Sequence, residues 1–216
     1  MMTRGLLPGI LLALTALAWS ACAGRSASET PVATSQSGAT PAPAASPTPT
    51  PDPEVLARAR AAVEGFDPGQ EAAFHELNTL AVEQTDLVAA LAPYLEDPDP
   101  ARRFAAIYLL ALMADTPEEV EVLKGALDDP VFSYRVVAAG SLARLGVMES
   151  LPVLVEAVGS DALLPYSEFN EPVAPLAREA LEAYTGQSFA TAEEWRARWG
   201  RVKDTVRWDG ARYVAD

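Results

Sequence analysis

Cysteine and histidine each occur once in the 216 residues, as Cys22 and His75. That excludes a disulfide framework, and zinc sites built from Cys and His, or a Cys-His nucleophile pair, lack their raw material. Basic residues are also scarce, with 16 Lys+Arg against 30 Asp+Glu and a formal net charge of -14. Phosphate recognition needs a basic footprint, so no nucleic-acid partner is expected, and direct adsorption to anionic bilayers is disfavoured. The acid is unevenly spread: residues 54–190 carry a net -15 and residues 191–216 a net +1. There is no Gly-rich phosphate loop, no serine nucleophile motif and no pair of carboxylates placed to raise a pKa, so no catalytic residue, metal or cofactor is nominated. His75, one helical turn after Glu71, reads as half of a surface ion pair rather than an acid-base pair. The acidic turns Glu96–Asp99 and Asp128–Asp129 lack the alternating ligands and glycine of a calcium loop.

The one long apolar run, Leu6 to Trp19, follows Arg4 and is too short for a spanning helix, so it reads as an export signal. Small residues follow it, and then Cys22, in "LAWSACAG". This boundary resembles the lipobox of bacterial lipoproteins, with Trp19 where an aliphatic residue is usual. The resemblance implies removal of residues 1–21, acylation of Cys22 and a permanent membrane anchor on the extracytoplasmic side of the envelope. With Ala23 after the cysteine, it points to the outer membrane in a double-membraned cell. An ordinary secretory signal with a cysteine near its cleavage site is the competing reading. Residues 22–53 form the linker, whose "TPAPAASPTPTPDP" is too poor in hydrophobic residues to offset the entropy of ordering. Extended at about 3.1 Å per residue, its thirty residues from Gly24 reach roughly 90 Å.

Beyond Asp52 the pattern is helical, and one stretch is written twice. "DPDPARRFAAIYLLALMA" and "DPVFSYRVVAAGSLARLG" align without a gap at an offset of 32 residues, pairing Asp97 with Asp129, Arg103 with Arg135 and Leu110 with Leu142. A period of that size indicates stacked helix pairs. Start and stop signals predict helices over about 54–64, 69–80 and 86–95. A fourth begins at Asp99-Pro100 and ends near Met113, and a fifth runs from a Thr116/Glu119 capping box to Leu127. A sixth opens at Asp129-Pro130 and stops at Gly146. Leu91, Leu123 and Leu154 match in the alternate helices, each of which carries a one-sided apolar stripe. The segment between Asp161 and Pro175 is an insertion before the last repeat helix, which closes at Gly186.

These residues resemble HEAT repeats of the short bacterial, phycobilisome-lyase-like kind, over about Gly69 to Gly186. The resemblance implies an all-α fold, an α-solenoid of helical hairpins, with Asp97, Arg103, Asp129 and Arg135 as a structural ladder between adjoining repeats. Residues 54–190 form that array. Residues 191–216 form a cap: a helix opened by a Thr191/Glu194 capping box with Trp195 and Trp199 on one face, then a β-hairpin around Asp209-Gly210. "TGQSFATAEEWRARW" resembles the closing segment of bacterial HEAT-like proteins, and the tryptophans read as an end cap rather than a ligand-stacking site.

Phe104, Tyr108, Val136 and Gly140 occupy positions that are usually polar in this repeat type, and would line a concave apolar strip. Two expectations follow: a groove for a partner protein or peptide, or a strip covered by the chain's own Leu163–Tyr166 segment or N-terminal helix. Together the readings describe a non-enzymatic, membrane-anchored scaffold for another envelope protein or peptide. The alternative is an accessory subunit of a lyase-type or other enzyme, as the resemblance to phycobilisome-lyase proteins implies. Replacing Cys22 with alanine is expected to move the protein from the membrane fraction to the soluble fraction; retention of Cys22→Ala at the wild-type level contradicts lipid anchoring.

Overall fold

The computed structural model describes residues 52–83, 86–166 and 171–215, all within the compact unit Pro51–Asp216. The expected export signal, Cys22 and nearly all of the expected linker lie outside the described residues. The chain from Asp52 is mostly helical: α1 (Pro53–Glu64), α2 (Glu71–Val82), α3 (Val88–Leu91), α4 (Pro100–Met113), α5 (Pro117–Lys124), α6 (Phe132–Arg144), α7 (Ser150–Ala157), α8 (Val173–Thr185) and α9 (Ala192–Val202). Two short strands, β1 (Arg207–Trp208) and β2 (Tyr213–Val214), pair antiparallel at the end, with Trp208 opposite Tyr213. Among the described residues no helix is long and apolar enough to cross a membrane.

The starts follow from local chemistry. Asp52 accepts from Glu54 N at 2.9 Å and Asp99 from Ala101 N at 2.9 Å, each ahead of a proline at the first helical position. Both capping boxes form: Thr116 with Glu119, and Thr191 with Glu194. Helix α2 begins two residues later than expected because Asp67 accepts from Gly69 N and from the Gln70 side chain, holding a turn that leaves Gln70 extended. The expected third and fifth helices both tighten into 3-10 turns, at Ala92–Glu96 and Gly125–Asp128. Pro93 removes a backbone donor at the first of these. Each 3-10 turn leads into an Asp-Pro corner at the same place in the 32-residue register.

Four helices pack in one continuous row, and the others lie against it. Helix α4 lies between α2 and α6, and α6 between α4 and α8, while α1 packs on α3, α3 on α5 and α7 on α9. The middle of that row is the core. Every residue from Phe104 to Ala111 of α4 is buried, and in α6 so are Val136 to Ala139 and Ser141 to Ala143. A helix apolar on all sides belongs inside. Side-chain bonds join these two helices along their length: Tyr134 Oη donates to the Pro100 carbonyl at 3.0 Å, Ser141 Oγ to Ala111 at 2.6 Å and Arg144 to Ala114 at 3.1 Å.

Helix α6 ends in a Schellman arrangement, with Val147 N donating to the Leu142 carbonyl at 3.1 Å and Gly146 N to Ala143 at 3.2 Å. Gly146 sits at φ +81°, and a Cβ there would come within 2.6 Å of the Trp208 ring, which lies across it. The hairpin differs from a two-residue turn: Asp209 to Arg212 form a four-residue loop, because Asp209 accepts from both Ala211 N and Arg212 N at 2.9 Å. Two glycine substitutions therefore have opposite signs. Gly140→Ala, on a helix with open space around its Cβ position, is expected to raise stability by roughly 0.5–1 kcal/mol. Gly146→Ala is expected to lose about 1–3 kcal/mol; matching urea midpoints for the two variants contradict this.

Candidate functional site

The expected concave strip is not a surface. Phe104 is 3% exposed, Tyr108 1% and Val136 0%, and Gly140 is half-buried. The cover comes from two places. The Phe104 ring lies 5.1 Å from Tyr166, in the segment before α8, and 6.0 Å from Phe66, in the α1–α2 turn, while Phe74 of α2 sits 6.0 Å from Tyr108. Tyr134 closes the group at 5.4 Å from Phe104. Six aromatic rings thus pack together, edge-on or tilted except for Phe104 stacked on Tyr108, an arrangement worth about 0.5–1.5 kcal/mol per pair beyond area burial. The polar tips are also engaged, with Tyr108 Oη donating to Asn78 Oδ1 at 3.1 Å and the Tyr134 and Tyr166 hydroxyls 3.1 Å apart. Of the two expectations for this strip the covered one holds, and a groove lined by Phe104, Tyr108, Val136 and Gly140 is corrected. The signal is present in the sequence: Phe66 and Phe74 flank the first turn, and Tyr166 lies in the insertion.

Tyr166 is the one non-glycine residue with positive φ (58°) among the described residues. Its position is set by the base of the insertion, where Leu164 N donates to the Glu171 carbonyl at 2.7 Å and Val173 N to Ala162 at 2.9 Å. Burial holds the Tyr134 hydroxyl well above the ordinary tyrosine range, helped by its bond to Tyr166; burial also raises Tyr108.

The ladder residues adopt the same geometry twice. Asp97 Oδ1 accepts from Asp99 N at 2.8 Å and Asp129 Oδ1 from Val131 N at 2.7 Å, while Arg103 donates to the Asp97 carbonyl and Arg135 to the Asp129 carbonyl, both at 2.9 Å. One bond crosses between the units: Arg103 Nε to Asp129 Oδ2 at 2.7 Å. Arg103 also lies 5.6 Å from the Tyr134 ring centre, and Arg135 lies 4.8 Å from that of Phe132. These contacts tie each Asp-Pro corner to the helix that follows it and one corner to the next. His75 and Glu71 are exposed on α2, and the His75 backbone carbonyl accepts from the Thr79 hydroxyl at 2.9 Å. Among the described residues no group of three His, Cys, Asp or Glu is placed to hold a metal.

A second feature lies under the cap. Trp195 is 3% exposed and Trp199 half-buried. They share a half-open cavity of about 40 Å³ with Leu151 of α7, Leu181 of α8, Gln187 and Arg198. Phe189 meets the Trp195 ring edge-on at 4.8 Å, and Arg178 anchors that approach by donating to the Phe189 and Ala190 carbonyls. The hairpin closes the far side through Tyr213, whose hydroxyl donates to the Val147 carbonyl at 3.0 Å. The tryptophans therefore cap the end of the helix row, as the sequence suggests, but leave a space beneath.

No family model, curated protein or solved structure gives a significant match to this chain.

Burial of Tyr134 makes stability sensitive to alkali. Its folded-state pKa lies above the unfolded value near 10, so its contribution is complete below pH 10. As pH rises further the unfolded chain loses the proton first, and stability falls by up to about 1.4 kcal/mol per pH unit until the folded value is reached. Tyr134→Phe is expected to flatten that decline in urea titrations above pH 10; an unchanged slope contradicts the assignment.

Proposed function

We propose that this chain is a non-enzymatic binding module of the bacterial cell envelope, anchored by an acylated Cys22, lifted from the membrane by its proline-rich linker, and built as an α-solenoid of HEAT-like hairpins. Its partner is another envelope protein or peptide. The observation that carries the repeat reading is the duplicated bonding of Asp97/Arg103 and Asp129/Arg135 at a 32-residue offset, joined by the Arg103–Asp129 bond. Units that repeat their own capping and share a rung between neighbours stack into extended surfaces, and such surfaces serve recognition.

With the aromatic strip occupied from within, the surface left for a partner is the acidic exterior. Glu118 and Glu121 of α5 and Asp128 beyond it are all exposed, and residues 54–190 carry a net -15. Such a field steers cationic faces and repels anionic ones. The matching partner is therefore an envelope protein or peptide that presents basic residues.

Photo-crosslinking residues placed in cells at Glu118, Glu121 and, in the continuous row, Glu179 test this reading. The expected outcome is one product of fixed mass from the α5 positions, reduced by Asp128→Lys and by Cys22→Ala. Crosslinks absent from every position, or products insensitive to the charge reversal, contradict it.

A further inference from the structure

Under the C-terminal cap, the Thr185 and Gln187 side-chain acceptors that line the cavity are already used within the chain. Thr185 Oγ1 donates to the Leu181 carbonyl at 2.6 Å and accepts from Gln187 N at 3.2 Å, and Gln187 Oε1 accepts from Arg198 Nε at 3.0 Å. The donors left in this lining are the Gln187 amide N–H groups, the terminal guanidinium nitrogens of Arg198 and the indole N–H of Trp195, and they outnumber the one lone pair remaining on each of the two oxygens. Trp195 Nε1 is the one buried side-chain nitrogen or oxygen among the described residues without a hydrogen-bond partner. An unmet buried donor costs about 1–3 kcal/mol. In a chain of net charge -14, no Asp or Glu lines this cavity.

We propose that the cavity is a carboxylate site, and that it takes the head group of a small aliphatic monocarboxylate. A carboxylate is acceptor-only and planar, so it complements a lining that includes a guanidinium and an unpartnered indole N–H, whereas an ammonium ligand would add donors to donors. The free space of about 40 Å³ is about three times the roughly 10–15 Å³ that a single water requires, which suits the three heavy atoms of a carboxylate group and excludes a bulky one. The ligand's alkyl tail then lies at the open side, against the half-buried Trp199. Neither the anchor nor a protein partner is needed for this site, so its failure and theirs are separable.

The test is a titration of the full-length chain, carrying ¹⁵N-labelled tryptophan, with propionate, propionamide and propylamine. Trp195→Phe assigns the Trp195 indole signal. Propionate is expected to shift that signal saturably, while propionamide and propylamine leave it in place. Arg198→Gln is expected to weaken binding by about tenfold or more, as loss of a charge-assisted hydrogen bond implies, and Arg198→Lys by less, with urea midpoints near that of the parent for whichever variant is scored. An unmoved signal, an equal shift from propionamide, or full affinity in a folded Arg198→Gln chain overturns the proposal and leaves an ordered water as the partner of Trp195.

Discussion

The bond from Arg103 to Asp129 is the constraint around which the two central units are arranged. Both side chains are nearly enclosed, at 11% and 3% exposure, so each charge has left most of its water and needs the other. Each is also fixed by its own unit. Arg103 donates to the Asp97 carbonyl and Asp129 accepts from Val131 N, so the pair connects the start of α4 to the start of α6. Replacing such a pair with apolar residues can be neutral, but removing one partner strands a buried charge and typically costs about 3–5 kcal/mol. Its contribution is therefore to register more than to gross stability: any other offset between α4 and α6 leaves both ions unmatched.

Alanine and aromatic residues divide the work of filling that frame. Along the α4–α6 contact the buried residues include Ala105, Ala106, Ala111, Ala138, Ala139 and Ala143, which allow the backbones to approach and let Ser141 and Arg144 reach the carbonyls of α4. Near the N-terminal end of both helices, rings fill the space. Tyr166 is held there in a left-handed backbone conformation that is unfavourable for a residue with a Cβ. Its contacts with Phe66 and Phe104 and its hydroxyl bond to Tyr134 offset that cost. The insertion before α8 thus completes the core at the place where the repeat pattern alone suggests a partner groove.

Features set by a few adjacent residues were legible in the sequence, and those set by distant packing were not. Asp99 with Pro100, the Thr116 and Thr191 capping boxes and the Gly146 stop each depend on atoms within six residues, and each is present at the named position. The 32-residue match likewise foretold two equivalent turns. By contrast, whether Phe104 and Tyr108 face water depends on Phe66, Phe74 and Tyr166, which lie tens of residues away and belong to no repeat. The cap was legible as a pair of tryptophans four apart, yet the space below it arises from how α7, α8 and the hairpin meet, and no local pattern encodes that. The two 3-10 turns fall between these cases: Pro93 signals the first, while the second follows Gly125 without a comparable marker.

Interaction energy between Arg103 and Asp129 is the quantity that decides whether the two units are coupled as described. A double-mutant cycle with Arg103→Met and Asp129→Asn, read from urea unfolding, measures it, since the introduced carboxamide oxygen retains an acceptor for the Val131 amide. A coupling of about 1–3 kcal/mol, with the double variant less destabilised than the sum of the singles, is the predicted result. Additivity within about 0.5 kcal/mol would mean that the units are joined by their apolar packing and the other side-chain bonds between α4 and α6, and that the ion pair does not set their register.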